Sequence, residues 1–218
     1  MKAFVLTLTL FIVWSCGAQT ALDSIFSNDV CTCLHQNTIL SPVDYQNCYV
    51  RAIHQNYKQL NKEVKLHTDT LRPSSHSFAN EMYDRISVNM ISTCPTYYKL
   101  IDTWRYTEMY GVNKDSIKNL IWKMNNNSGY GHDELFYTNR GMMYFRISDL
   151  DNALKDFDKA LLMNSNSMQS LLFKAWSLEL KQNYEEAYTL YMALAELTDK
   201  NEFNILAAMV KLKKTAPK

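Results

Sequence analysis

Cys31-Thr32-Cys33-Leu34-His35 places two thiols and an imidazole on one short stretch of chain. Thiolates and imidazoles ligate zinc, and paired thiols exchange disulfides. The spacing suits neither chemistry. A single residue separates the cysteines where redox motifs and zinc knuckles have two, and the haem-attachment order is absent as well. On a helix, residues two apart point to different sides, so Cys31 and Cys33 need separate partners, and Cys48 and Cys94 supply two ways of pairing them. If Ser41 marks the turn of a helical hairpin, Cys33 lies eight residues before it and Cys48 seven after, nearly level on antiparallel neighbours. We therefore expect two structural disulfides, Cys33–Cys48 and Cys31–Cys94. The competing reading is a thiol-redox or metal-binding enzyme centred on Cys31, Cys33 and His35.

Other chemistry is thinly represented. His54, His67, His76 and His132 are scattered and form no helical metalloprotease pair. Neither a nucleophile elbow nor a phosphate-cradling glycine loop occurs. Asp149, Asp151, Asp156 and Asp158 resemble a calcium loop, but the glycine and terminal glutamate that such loops require are missing. They stand around the start of a predicted helix, where carboxylates complement the dipole, and read as a solvated helix start. Neither catalytic residues nor a metal or cofactor is expected.

The leader and the cysteines agree on compartment. Lys2 precedes an apolar run from Ala3 to Trp14, too short for a bilayer span of about 20 residues and followed by small residues, which makes it a signal peptide. Cleavage after Ala18 is one route, giving a leader over 1–18. Val13-Trp14-Ser15-Cys16 resembles a bacterial lipobox and gives the other, a leader over 1–15 with a lipid on Cys16. Either way an even set of four cysteines enters an oxidising compartment, the periplasm or cell envelope.

Composition sets the fold class. The 218 residues are 47% apolar and 21% charged with Gly 5 and Pro 4, which excludes disorder and argues against turn-rich sheets. The formal charge of +1 and the lack of a basic stretch exclude a nucleic-acid surface. Lys211, Lys213 and Lys214 read as a solvated helix end. We expect an all-α protein with a helical N-terminal domain over 19–124. Ser41-Pro42-Val43-Asp44 opens a long helix whose apolar residues include Cys48, Ile53, Tyr57, Leu60 and Val64. A loop follows over 67–76, and Phe78, Met82, Ile86 and Met90 mark one face of a helix that should stop at Cys94-Pro95. Further helices are predicted around 98–110 and 116–124. The Asn-, Ser- and Gly-rich stretch from Asn125 begins a linker over 125–133.

Beyond the linker the chain repeats. Gly141, Tyr144, Ala153, Phe157 and Ala160 are followed thirty-four positions later by Ala175, Leu178, Ala187, Tyr191 and Leu194, and Asn183-Tyr184-Glu185-Glu186-Ala187 suits a turn into a second helix. Over 134–214 this order and period resemble the tetratricopeptide repeats. Arg140 and Lys174 depart from the family's leucine, and Ser165 and Asp199 from its proline. The resemblance implies two helical hairpins, 134–167 and 168–201, and a capping helix over 202–214, in a short α-solenoid that leans on the N-terminal half for burial.

The resemblance also implies a groove lined by the first helix of each unit: Leu135, Thr138, Met142 and Phe145, then Leu172, Trp176 and Glu179. Thr138 and Met142 stand where members that grip acidic tails carry lysine or asparagine, so a carboxylate clamp is not expected. An apolar face suits a helix or extended segment of a protein or peptide partner. Its alternative fate is cover by the protein's own helices. The functional expectation is a non-catalytic binding or scaffolding module of the bacterial envelope, touching membrane only through a lipid at Cys16; a self-associating structural lipoprotein is the further alternative.

Overall fold

The computed structural model describes residues 21–36, 41–67, 76–110, 113–127 and 129–215. Among them the chain is all-helical, with ten helices and no strand. The expected leader and Cys16 lie outside the described residues, as does most of the loop after His67. Among the described residues no helix is long and apolar enough to cross a membrane.

Helix α1 (Ala21–His35) and helix α2 (Pro42–His67) form the first hairpin. Pro42 takes the first helical position, and the Asp44 N–H donates to Ser41 Oγ at 3.2 Å while the Asp44 carboxylate accepts from the Ser41 N–H at 2.9 Å. This reciprocal pair satisfies donors that a helix start leaves open. The inward line of α2 runs through Cys48, Tyr49, Ala52, Asn56 and Leu60, with Ile53 half-buried. Tyr57, expected on that line, is 43% exposed. Asn56 takes the inward place because its amide is satisfied there, donating to Asp29 Oδ2 of α1 at 2.7 Å and to the Ala52 carbonyl at 3.0 Å.

Helix α3 (His76–Thr93) buries Met82, Ile86 and Met90 at the predicted spacing of four and stops before Pro95, where α4 (Pro95–Tyr110) begins. Both expected disulfides form. Cys33–Cys48 joins the two helices of the first hairpin across 5.5 Å between Cα atoms, and Cys31–Cys94 ties α1 to the α3–α4 junction across 5.7 Å. Such pairing belongs to chains folded outside the reducing cytosol.

After α5 (Lys114–Asn126) come two hairpins, α6 (Glu134–Arg146) with α7 (Leu150–Met163) and α8 (Met168–Leu180) with α9 (Tyr184–Thr198), then α10 (Asn201–Thr215). Their turns repeat in detail. Ser148 and Gln182, thirty-four positions apart, both adopt left-handed backbone, with φ of 67° and 61°. The next N–H in each turn, from Asp149 and Asn183, donates to Tyr144 and Leu178 carbonyls at 2.9 Å. Arg140 and Lys174 recur at the same interval and each pairs with the second helix of its own or a neighbouring hairpin: Arg140 with Asp156, and Lys174 with Asp158 and Glu186. Asp156 is only 3% exposed and held by two 2.7 Å bonds from Arg140, so it is not part of a solvated helix start as its neighbours' spacing suggested. The guanidinium compensates a carboxylate that could not otherwise be buried.

Gly141 shows how closely α6 and α7 approach. A Cβ at this position would lie 2.7 Å from Cε1 and 2.9 Å from Cδ1 of Phe157, a fully buried ring. Alanine normally stabilises a helix interior over glycine by about 0.5–1 kcal/mol. Here overpacking, typically about 1–3 kcal/mol, outweighs that gain, and Gly141→Ala should lower stability in urea titration. An unchanged or raised midpoint would refute the close fit.

Helix α10, expected to cap the array, is buried on two sides. Phe203, Ala207 and Val210 join the core of α8 and α9, whereas Ile205 and Met209 join Met82, Ile86 and Met90 in the N-terminal core. Asn201 Nδ2 donates to Ser87 Oγ of α3 at 2.9 Å at the same seam. Helix α5 ends at Asn126 and α6 begins at Glu134, but the two halves share helix α10 as well as a chain.

Candidate protein-interaction face

The expected groove residues come from α6 and α8, whose periodicity brings Thr138, Met142 and Phe145 beside Leu172, Trp176 and Glu179. Thr138, Phe145 and Glu179 are buried, Met142, Leu172 and Trp176 are half-buried, and Leu135 is 58% exposed. Thr138 Oγ1 lies 2.7 Å from Ser170 Oγ of α8, a hydrogen bond that ties the first hairpin to the second. Phe173 and Trp176 stack, while Phe145 meets Phe173 edge-on and lies tilted against Trp176 with ring centroids 5.1 Å apart.

Helix α4 covers part of this face. Tyr106 packs against the cluster of Phe145, Ala153 and Phe157, as do Met142 and Trp176. Arg105 sits over the Trp176 ring at 4.7 Å, and its two terminal nitrogens donate to the two oxygens of Glu179 at 3.2 and 2.7 Å. The Tyr191 hydroxyl donates to Glu179 Oε2 at 2.9 Å and accepts from Arg105 at 3.1 Å. From α10, Lys213 Nζ donates to Glu179 Oε1 and to Asp102 Oδ1 of α4, both at 2.9 Å. Lys213 is therefore a partly buried bridge and not a solvated tail residue. Its neighbour Lys214 pairs with Glu185.

Electrostatics hold Glu179 and Lys213 in their charged forms and Tyr191 neutral. Burial pushes the Glu179 carboxyl up, but the Arg105 guanidinium and then Lys213 outweigh it and hold it below the usual carboxylate range. Burial opposes the charge on Lys213, and Glu179 and Asp102 reverse the effect, raising its ammonium above its ordinary value. Burial raises the Tyr191 phenol well above its ordinary value. A carboxylate locked between two cations is a poor proton acceptor, so the arrangement serves anchoring. Glu179, expected to line the groove, is a latch instead, and Thr138 and Phe145 are likewise buried inside the protein.

Arg105, Asp102 and Lys213 escaped sequence reading, since Arg105 lies seventy-four residues from Glu179. A signal was present: a glutamate on the inward side of an apolar helix requires a cation partner. What stays open around the face are half-buried Met142, Leu172 and Trp176, with Leu135 on α6 and Met168 on α8, at 58% and 55% exposure. Away from this face Cys31, Cys33, Cys48 and Cys94 are disulfide-bonded, and among the described residues no three His, Cys, Asp or Glu side chains group as metal ligands would. The chain matches no known family model, no curated protein and no solved structure.

Proposed function

We propose that this chain is an exported, non-catalytic protein-binding or scaffolding module of the bacterial cell envelope, in which tetratricopeptide-like hairpins hold a segment of a partner protein. The observation that carries the reading is the turn at Ser148 and its counterpart at Gln182, alike in backbone and in hydrogen bonding at an interval of thirty-four residues. Arrays with this period stack hairpins into a surface that grips other chains. The close fit of Gly141 to Phe157 suits the small residue of the repeat, and the ion pairs at Arg140 and Lys174 account for two of its departures.

The partner meets what α4 leaves open: Met142, Leu172 and Trp176, with Leu135 at the rim. Aromatic and Met side chains are favoured anchors for an apolar helix or strand. The face carries no lysine–asparagine clamp, so the partner segment is apolar and not an acidic tail. Capture from envelope extract followed by mass spectrometry tests this. Trp176→Ala and Met142→Ala, each shown by circular dichroism to keep its helices, should reduce recovery of the partner about tenfold, as loss of an anchoring residue does. Undiminished capture by both variants would exclude this face as the binding site.

A further inference from the structure

A cleft of about 230 Å³ opens between α1 and α3, lined by Ser24, Ser27, Asn28, Cys31, Asn89 and Thr93. Cys31 reaches it and is half-buried, while its partner Cys94 is 1% exposed. The other disulfide has no comparable approach, with Cys33 and Cys48 at 9% and 1% exposure. Thiol–disulfide exchange depends on which sulfur an attacking thiolate can reach. The lining offers hydroxyls and amides and no carboxylate, so an anionic sulfur meets no fixed negative charge there.

We infer that Cys31–Cys94 is a redox-addressable joint, opened in the folded protein by a small thiol that enters this cleft and attacks Cys31 Sγ. This goes beyond the binding function proposed above. The thiolate forms a bond to Cys31 Sγ, the Cys31–Cys94 bond breaks, and the electron pair leaves on Cys94, which takes a proton from water. A second thiolate then attacks the outer sulfur of the mixed disulfide and releases Cys31. Two thiols are oxidised to one small disulfide, and the cystine is reduced to two thiols.

The selectivity has a structural consequence. The first hairpin stays stapled by Cys33–Cys48 but loses its covalent tie to the α3–α4 junction. What then holds it includes non-covalent contacts, among them Asp23 to Arg85 at 2.8 Å and His35 to Thr96 at 2.6 Å. A fixed attachment becomes one that can open.

The test is exposure of the folded full chain to free cysteine, with alkylation at intervals and mass spectrometry of each cysteine-containing peptide. Cys31 and Cys94 should be labelled about tenfold faster than Cys33 and Cys48, at a rate proportional to cysteine concentration, with the mixed disulfide on Cys31. Asn28→Trp, at an exposed lining position, should slow this opening about tenfold by filling the approach. Simultaneous opening of both disulfides, a rate that saturates with cysteine because unfolding limits it, or an unaltered rate in Asn28→Trp would each overturn the inference.

Discussion

Glu179→Ala is expected to lower the unfolding free energy by about 3–5 kcal/mol, because it strips the shared carboxylate from two cations that stay out of water. The Glu179 side chain is 2% exposed, Arg105 11% and Lys213 18%. Coulomb attraction is weakly screened at such depth, and each charge gave up hydration to enter. Asp102 still holds Lys213 in the variant, but Arg105 loses both of its bonds to Glu179. Denaturant unfolding measures the effect; a loss below about 1 kcal/mol, the range of exposed pairs, would mean that the latch does not join the halves. The double replacement Glu179→Leu with Arg105→Met should cost far less than the sum of the two single changes, since no orphaned charge remains.

The same carboxylate makes stability depend on acid. Its native pKa lies below the unfolded value of about 4.3, so its contribution is complete above that pH and is lost as pH falls through the native value. Unfolding free energy should therefore drop between about pH 4 and the native pKa, and Glu179→Gln should flatten that part of the profile. An identical acid limb in the variant would assign the effect to other carboxylates.

The second large effect concerns the disulfides. Cys31–Cys94 closes 63 residues of sequence and Cys33–Cys48 closes 15. Chain-entropy arithmetic gives about 4 kcal/mol for the longer closure and about 3 kcal/mol for the shorter. Replacing Cys31 and Cys94 together by serine should thus destabilise more than replacing Cys33 and Cys48. It should also raise amide exchange in α1 and α2 with little change in α6 to α9, where no disulfide acts. Equal losses for the two pairs would show that the reduced chain already keeps Cys31 near Cys94 when unfolded.

Much of this was legible because it is local. The capping residues at Ser41 and Asp44, the stop at Pro95 and the four-residue spacing of Met82, Ile86 and Met90 act within a turn or two of helix. The disulfide pairing was legible for a related reason: once Ser41 is a turn, the rise per residue brings Cys33 and Cys48 level. Tyr57 reads as inward by its apolar ring, yet Asn56 takes that place because its amide finds Asp29 on another helix. Asp156 and Lys213 read as solvent-facing groups from the sequence, since nothing near them in the chain shows the Arg140 or Glu179 that pairs with each.

The amino-acid order alone determined the helical class, the hairpin turns, the cystine pairs and the interval of thirty-four, all of which follow from backbone geometry and side-chain spacing over short distances. The tertiary structure alone decided that α10 would serve two cores, that Tyr106 of α4 would pack against α6 and α7, and that Arg105 would find Glu179 seventy-four residues away. The reason is physical: the burial of one helix face against another depends on surfaces assembled from distant segments, and a buried charge is tolerated only where such a surface delivers its opposite.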